Sequence, residues 1–122
     1  MELIHADVTE QIIGAAFEVH REMGYGFLER VYQRSMQVEL NIRGFKAEIE
    51  NRIKVYYKGH IVGDYAADIF VENVVIVELK VAKEYNREDE AQLLNELKAT
   101  GIKVGLLINF GRAKVEFKRF VF

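Results

Sequence analysis

Apolar residues in the first part of the chain return at helical intervals. Val8, Ile12, Ala15, Ala16, Val19 and Met23 fall on one stripe, which predicts an amphipathic helix that ends at Gly24-Tyr25-Gly26. A second helix is predicted from about Phe27 to Arg43. It carries Leu28, Val31, Tyr32, Ser35, Met36 and Leu40 near one face, with Gly44 where a C-cap glycine belongs.

The period then shortens to two. Ile49, Ile53, Val55 and Tyr57 are interleaved with Arg52, Lys54 and Tyr56, and Lys58-Gly59 supplies a turn. Ile61 to Val71 reads as a second strand and Val74 to Val81 as a third. The four consecutive β-branched residues Val74-Val75-Ile76-Val77 mark that third strand as buried on both faces. Helical spacing returns between Asn86 and Thr100, with Ala91, Leu94, Leu97 and Lys98 on the expected stripe. Asn86 is placed as N-cap, Glu88-Asp89-Glu90 suits the positive start of the helix, and Gly101 suits its C-cap. Val104 to Asn109 and Val115 to Val121 complete the series, joined by a turn at Gly111-Arg112. The order α-α-β-β-β-α-β-β predicts a single α/β domain over residues 1–122, built on a mixed β-sheet flanked by helices.

Composition narrows the class. At 122 residues, half of them hydrophobic, the chain can bury a core without staples, and with no cysteine it has neither disulfides nor thiolate metal sites. The first residues show no signal-peptide pattern, and no stretch has the length of a membrane span; the expectation is a soluble cytoplasmic protein with no membrane partner. The net charge of −2 carries no global sign of nucleic-acid binding. Its distribution is uneven: residues 1–50 hold 9 acidic and 5 basic side chains, residues 101–122 hold 1 and 5. Lys103, Arg112, Lys114, Lys118 and Arg119 are a candidate phosphate-facing patch or, equally, ordinary solvated strand positions.

The chemistry concentrates where the third strand ends. Glu78 and Lys80, at i and i+2, point to one side of the sheet, and Asp68 lies ten residues before Glu78. With a two-residue loop Glu72-Asn73, Asp68 would stand opposite Val77 and away from Glu78. A three-residue loop, Glu72-Asn73-Val74, would set Asp68 directly across from Glu78. In that register two carboxylates repel unless a cation lies between them, and a hard ion such as Mg²⁺ (or Mn²⁺) suits two carboxylates, the Leu79 carbonyl and waters. Lys80 would then stabilise charge developing on a phosphorane. The plainer alternative is a surface Glu-Lys ion pair with Asp68 capping a turn. Tyr56, Tyr57, Phe117 and Phe120 can stack on bases or simply pack on the sheet. His5, His20 and His60 lack metal-ligand spacing, no Ser-His-Asp arrangement is legible, and Gly24 and Gly26 precede no phosphate-loop lysine.

The motif Gly26-Phe27-Leu28-Glu29-Arg30-Val31-Tyr32 resembles the signature of the GxxExxY family. The resemblance continues through Tyr57-Lys58-Gly59, Ala67-Asp68, Val77-Glu78-Leu79-Lys80, Ala91-Gln92-Leu93-Leu94 and Leu107-Ile108-Asn109-Phe110-Gly111. That family is similar to the PD-(D/E)XK nuclease superfamily, so the resemblance implies a restriction-endonuclease-like core and a nuclease that hydrolyses DNA or RNA. It also implies that Asp68 and Glu78 hold the metal, that Lys80 assists the chemistry, and that Glu29 and Gln92 project toward the same site from the flanking helices. Two positions depart from the family pattern: Ala67 replaces proline, and Glu96 replaces an aromatic residue, either adding charge near the site or facing solvent. Taken alone, Glu29 beside Tyr32 reads as a surface acid next to a partly buried ring, and Gln92 as a solvated glutamine. The competing functional expectation is a non-catalytic nucleic-acid-binding or regulatory/assembly module that keeps the fold. A homodimer would enlarge the surface of so small a chain, but no residue pattern demands one.

Overall fold

The computed structural model describes residues 4–84 and 86–122. Two helices, α1 (Ala6–Met23) and α2 (Glu29–Ile42), precede three strands, β1 (Ala47–Tyr57), β2 (His60–Val71) and β3 (Val75–Lys80). Helix α3 (Arg87–Thr100) leads to β4 (Val104–Asn109) and β5 (Glu116–Val121). The five strands lie in the order β1-β2-β3-β4-β5, antiparallel except for the parallel β3–β4 pair that α3 connects. A mixed sheet flanked by helices is thus the architecture, with the element order read from the hydrophobic pattern.

Two apolar clusters sandwich the sheet. On one face α1 and α2 bury Ile12, Ala15, Met36 and Leu40 against Ile69, Val77, Leu79 and Ile108. On the other, Leu93 and Leu97 of α3 pack against Ile76 and Leu107. Removing such a side chain from water contributes about 1.5–3 kcal/mol, so β3 and β4, with both faces covered, are strongly fixed. The run of valines and isoleucine in β3 needs this double cover.

Several boundaries differ from the periodicity reading, for local reasons. Helix α2 starts at Glu29 because Leu28 is extended (φ −68°, ψ 152°) and, at 79% exposure, takes no part in the apolar face. The buried face of α3 is Leu93, Glu96 and Leu97, whereas Ala91, Leu94 and Lys98 face solvent. The expected stripe was displaced because a glutamate occupies a core-facing position, which a hydrophobicity pattern counts as surface.

The turn before β3 settles the register. Glu72 and Asn73 both have positive φ (53° and 55°), and Val74 N donates to Val71 O at 3.0 Å, closing a type I′ turn. Val74 is then skipped and the ladder resumes as Val71↔Val75, Phe70↔Ile76 and Ile69↔Val77. The connection therefore counts three residues, as the shared-face arrangement of Asp68 and Glu78 requires. Glu72 is anchored there by its own backbone N–H to Lys46 O (2.9 Å) and by its carboxylate, which accepts from Lys46 N at 2.8 Å.

Candidate functional site

The sheet is interrupted at Asp68. The β1–β2 ladder pairs Ile49 with Ile69 and Asn51 with Ala67 but skips Glu50 and Asp68, and Glu50 stands at φ 58°. A left-handed glutamate costs on the order of 1–3 kcal/mol. The β2–β3 ladder stops one step earlier than Asp68. Ala67 belongs to the cluster under α3, whereas Ile69 belongs to the cluster under α1 and α2. In a regular strand these two residues would share a face, so β2 twists sharply at the residue between them.

Asp68 fills the gap with its own side chain. Its Oδ2 accepts from Leu79 N at 2.7 Å, while Asp68 N donates to Glu78 Oε1 at a long 3.4 Å. Gln33, buried on α2, donates from Nε2 to Asp68 O at 2.9 Å and holds the kinked backbone in place. Glu78 is only 3% exposed. Lys80, half-buried on the same side of β3, reaches Asp89 Oδ1 of α3 at 3.5 Å.

The flanking helices close over this group. Glu29, in the first turn of α2, places its carboxyl against Asp68. Gln92 donates to Glu96 Oε2 at 3.1 Å, so it meets the acidic group by way of Glu96. Glu96 has no exposed surface and contacts the Glu78 carboxyl; of the two alternatives for this position, it lies at the site. Tyr32, by contrast, is structural. Its hydroxyl donates to Gly24 O (2.6 Å) and accepts from Phe27 N (3.3 Å), and its ring stacks on Phe110 with centroids 4.6 Å apart.

Crowded acids in a dry setting hold protons tightly. Burial, then contact with the Glu96 carboxyl and the charge of Asp68, push Glu78 up to about 11. Burial, followed by Asp68, raises Glu29 to about 7 although Lys80 opposes it. Burial alone would lower Lys80, but Asp89, Glu29, Glu78 and Asp68 together outweigh it and keep the amine above its ordinary range. These neighbours favour the charged form of Lys80.

Two hollows flank the group. One, of about 470 Å³, is bounded by Glu29, Gln33, Asp68, Arg30 and Arg52. The other, of about 290 Å³, is bounded by Lys80, Asp89, Arg112, Phe117 and Lys118. Asn109 builds the floor of the second: it donates from Nδ2 to Ala82 O (2.8 Å) and accepts from Ala82 N (3.1 Å), tying the segment after β3 to the end of β4. Among the described residues, no three His, Cys, Asp or Glu side chains stand in a ready-made metal cage, and no helix is long and apolar enough to cross a membrane.

Sequence reasoning brought Glu29, Asp68, Glu78, Lys80 and Gln92 to this place, and the structure gathers all five around the β2–β3 splay. It missed Gln33 and Asp89. Gln33 lies one helical turn after Glu29, which is the only signal it left; Asp89 was read only as a helix-start charge.

Comparison with a family model gives a match over residues 6–120, to the PD-(D/E)XK nuclease superfamily. The chain belongs to that superfamily. The pattern in the superfamily's name is present here as Asp68 and Glu78-Leu79-Lys80. Among solved structures, the crystal structure of SSO0001 superposes with a TM-score of 0.62 at 14% identity, over 75% of this chain and 48% of that one. That likeness concerns the fold, and this chain spans about half the length of the SSO0001 chain. A search of curated proteins finds no match.

Proposed function

We propose that this chain, as one nuclease-like domain over residues 1–122, is a cytoplasmic Mg²⁺- or Mn²⁺-dependent nuclease that hydrolyses phosphodiester bonds in DNA or RNA. The observation that carries the reading is the meeting of Asp68 and Glu78 at an interrupted register, with the Lys80 cation on the same side of β3.

The donor chemistry fits a hard divalent ion. Asp68, Glu78 and the Leu79 carbonyl are all oxygen ligands, and Mg²⁺ ordinarily takes few protein oxygens and keeps several waters. The proton affinity of Glu78 marks a place where positive charge is wanted. When bound, the ion polarises the phosphoryl group and makes water a better nucleophile.

The protein's own groups do the rest. Lys80 offers fixed positive charge to the phosphorane as it forms. Glu29, near neutral in its proton affinity, sits where it can hold or release a proton beside Asp68. Gln92 fixes Glu96, and Gln33 fixes the Asp68 backbone. Arg30 and Arg52 on one side and Arg112 and Lys118 on the other bracket the path that a phosphodiester chain would take across Lys80.

The test is direct. The purified full chain is incubated with plasmid, linear duplex, single-stranded DNA and RNA, with Mg²⁺, Mn²⁺ or EDTA. Cleavage is expected with either metal and absent in EDTA, and Asp68→Ala or Glu78→Ala should reduce it to background. Lys80→Ala is expected to lower kcat by about 10²–10³-fold. Equal inertness of the wild type and both acid variants across the panel would leave only a binding or regulatory role.

A further inference from the structure

One acid in the group has no task in the scheme above. Glu96 is fully buried on α3, and its Oε1 meets no hydrogen-bond donor. Its Oε2 is held by Gln92 Nε2 at 3.1 Å. The neighbour against it is the carboxyl of Glu78, which can offer a proton to Glu96 while it is neutral and becomes a second acceptor once it is ionised, as ligation of a metal requires. An acceptor buried without a donor costs about 1–3 kcal/mol, and more when charged. The position also lies on the core-facing side of α3 between Leu93 and Leu97, where an apolar residue would pack at no such cost.

Something that brings donors or positive charge relieves this cost. No arginine or lysine is bonded to Glu96; Lys80, the cation of the site, is turned to Asp89. A divalent ion at Asp68 and Glu78 brings both, because the waters it retains are strong donors. Among the described residues no three acids form a cage, so direct ligation by Glu96 is not built into the geometry. Acceptance from a water of the ion's hydration shell is compatible with it.

We infer that Glu96 is a positioning residue for the divalent cation: Gln92 clamps one carboxylate oxygen, and the buried Oε1 accepts from water bound to the ion held at Asp68 and Glu78. This rests on the proposed cation site and extends it by two residues of α3. Groups that orient a metal's ligands in this way are commonly worth 10–100-fold in affinity.

The measurement is Mn²⁺ binding to the full chain without nucleic acid, by calorimetric titration and by electron paramagnetic resonance of free Mn²⁺. Glu96→Gln keeps the shape and the Gln92 contact but removes the charge, and is expected to weaken Mn²⁺ binding about tenfold or more. Gln92→Ala, which frees the clamped oxygen, is expected to weaken it several-fold. Metal-free melting of Glu96→Gln should be unchanged or higher, with the Mn²⁺-induced rise in Tm reduced, an opposition that a merely structural glutamate would not produce. Undiminished Mn²⁺ affinity in Glu96→Gln overturns the inference. The Asp68→Ala arm separates the two levels. If it abolishes binding while Glu96→Gln does not weaken it, only the role of Glu96 fails; if wild type and Asp68→Ala bind alike, or neither binds, the cation site fails and this inference with it.

Discussion

Glu29 stands where a carboxylate is poorly tolerated, and the consequence is a stability that runs against the usual trend. Its proton affinity is raised from 4.5 to about 7, first by burial and then by Asp68. A group with a raised folded value contributes stability that is fully present below its unfolded value and is lost as pH rises through the folded one. Metal-free protein is therefore expected to lose stability from about pH 4.5 to beyond 7, read as a falling urea midpoint in EDTA at pH 5, 7 and 8.5. Glu29→Gln should make this slope shallower up to about pH 7, leaving the part that Glu78 contributes, and should gain on the wild type as pH rises. A constant difference between the two across the range would show that Glu29 is not the group concerned. At this scale the sequence was unevenly legible. Asp68, Glu78 and Lys80 could be found because β-branched neighbours announced a buried strand and the period of two fixed their faces. Gln33 and Asp89 lie on helices whose polar residues look alike whether they face water or the site, so their partners could not be read before the helices were placed.

Among the elements, the register of β2 against β3 was left open between a two-residue and a three-residue loop, and the structure has the three-residue one. The requirement of an odd loop followed from strand geometry, but a type I′ turn with Glu72 at positive φ is not a choice that composition would suggest. It holds because Lys46 on the neighbouring strand entry bonds both the backbone and the carboxylate of Glu72. The stripe of α3 was misread for a related reason: Glu96 is buried for a purpose that hydrophobicity does not encode. Two substitutions test how the elements are fastened. At Gly111 a Cβ would lie 2.5 Å from Val81 C and 2.6 Å from Ala82 O, both backbone atoms, and Asn109 holds Ala82 through its N–H and its carbonyl. Gly111→Ala is expected to cost about 1–3 kcal/mol in urea unfolding and to disturb Lys80 from two residues away; an unchanged midpoint would mean that the segment after β3 yields freely. Asn86 caps α3 by accepting from Glu88 N at 2.9 Å. Asn86→Ala should lower stability in urea unfolding by about 1 kcal/mol, and because Asn86 borders the hollow that holds Lys80 and Asp89 a modest loss of activity is expected with it.

For the whole molecule, the question is how a chain of net charge −2 engages a polyanion. The cations around the two hollows are each compensated: Arg30 by Glu50 (3.8 Å), Arg52 by Asp64 (2.8 Å), Arg112 by Glu116 (3.4 Å) and Lys118 by Glu90 (3.1 Å). Between them stand Asp68, Glu29, Glu78 and Glu96. On the proposed reading, a phosphate chain crossing this surface would meet as much repulsion as attraction until a divalent ion reversed the sign at the centre. Binding is therefore expected to depend on the metal more than on the basic residues. With Ca²⁺ in place of Mg²⁺ to suppress cleavage, a fluorescent oligonucleotide should bind far more tightly than in EDTA. Exposed pairs such as Arg52–Asp64 are worth little in themselves, so Arg52 can exchange its carboxylate for a phosphate at small cost. If about three cations do so on duplex DNA, log K should fall with log salt at a slope near −3, and Arg52→Ala should make it shallower by about one. Tight binding in EDTA with a much steeper slope would mean that the basic residues alone hold the nucleic acid, and would sever the link between binding and the metal.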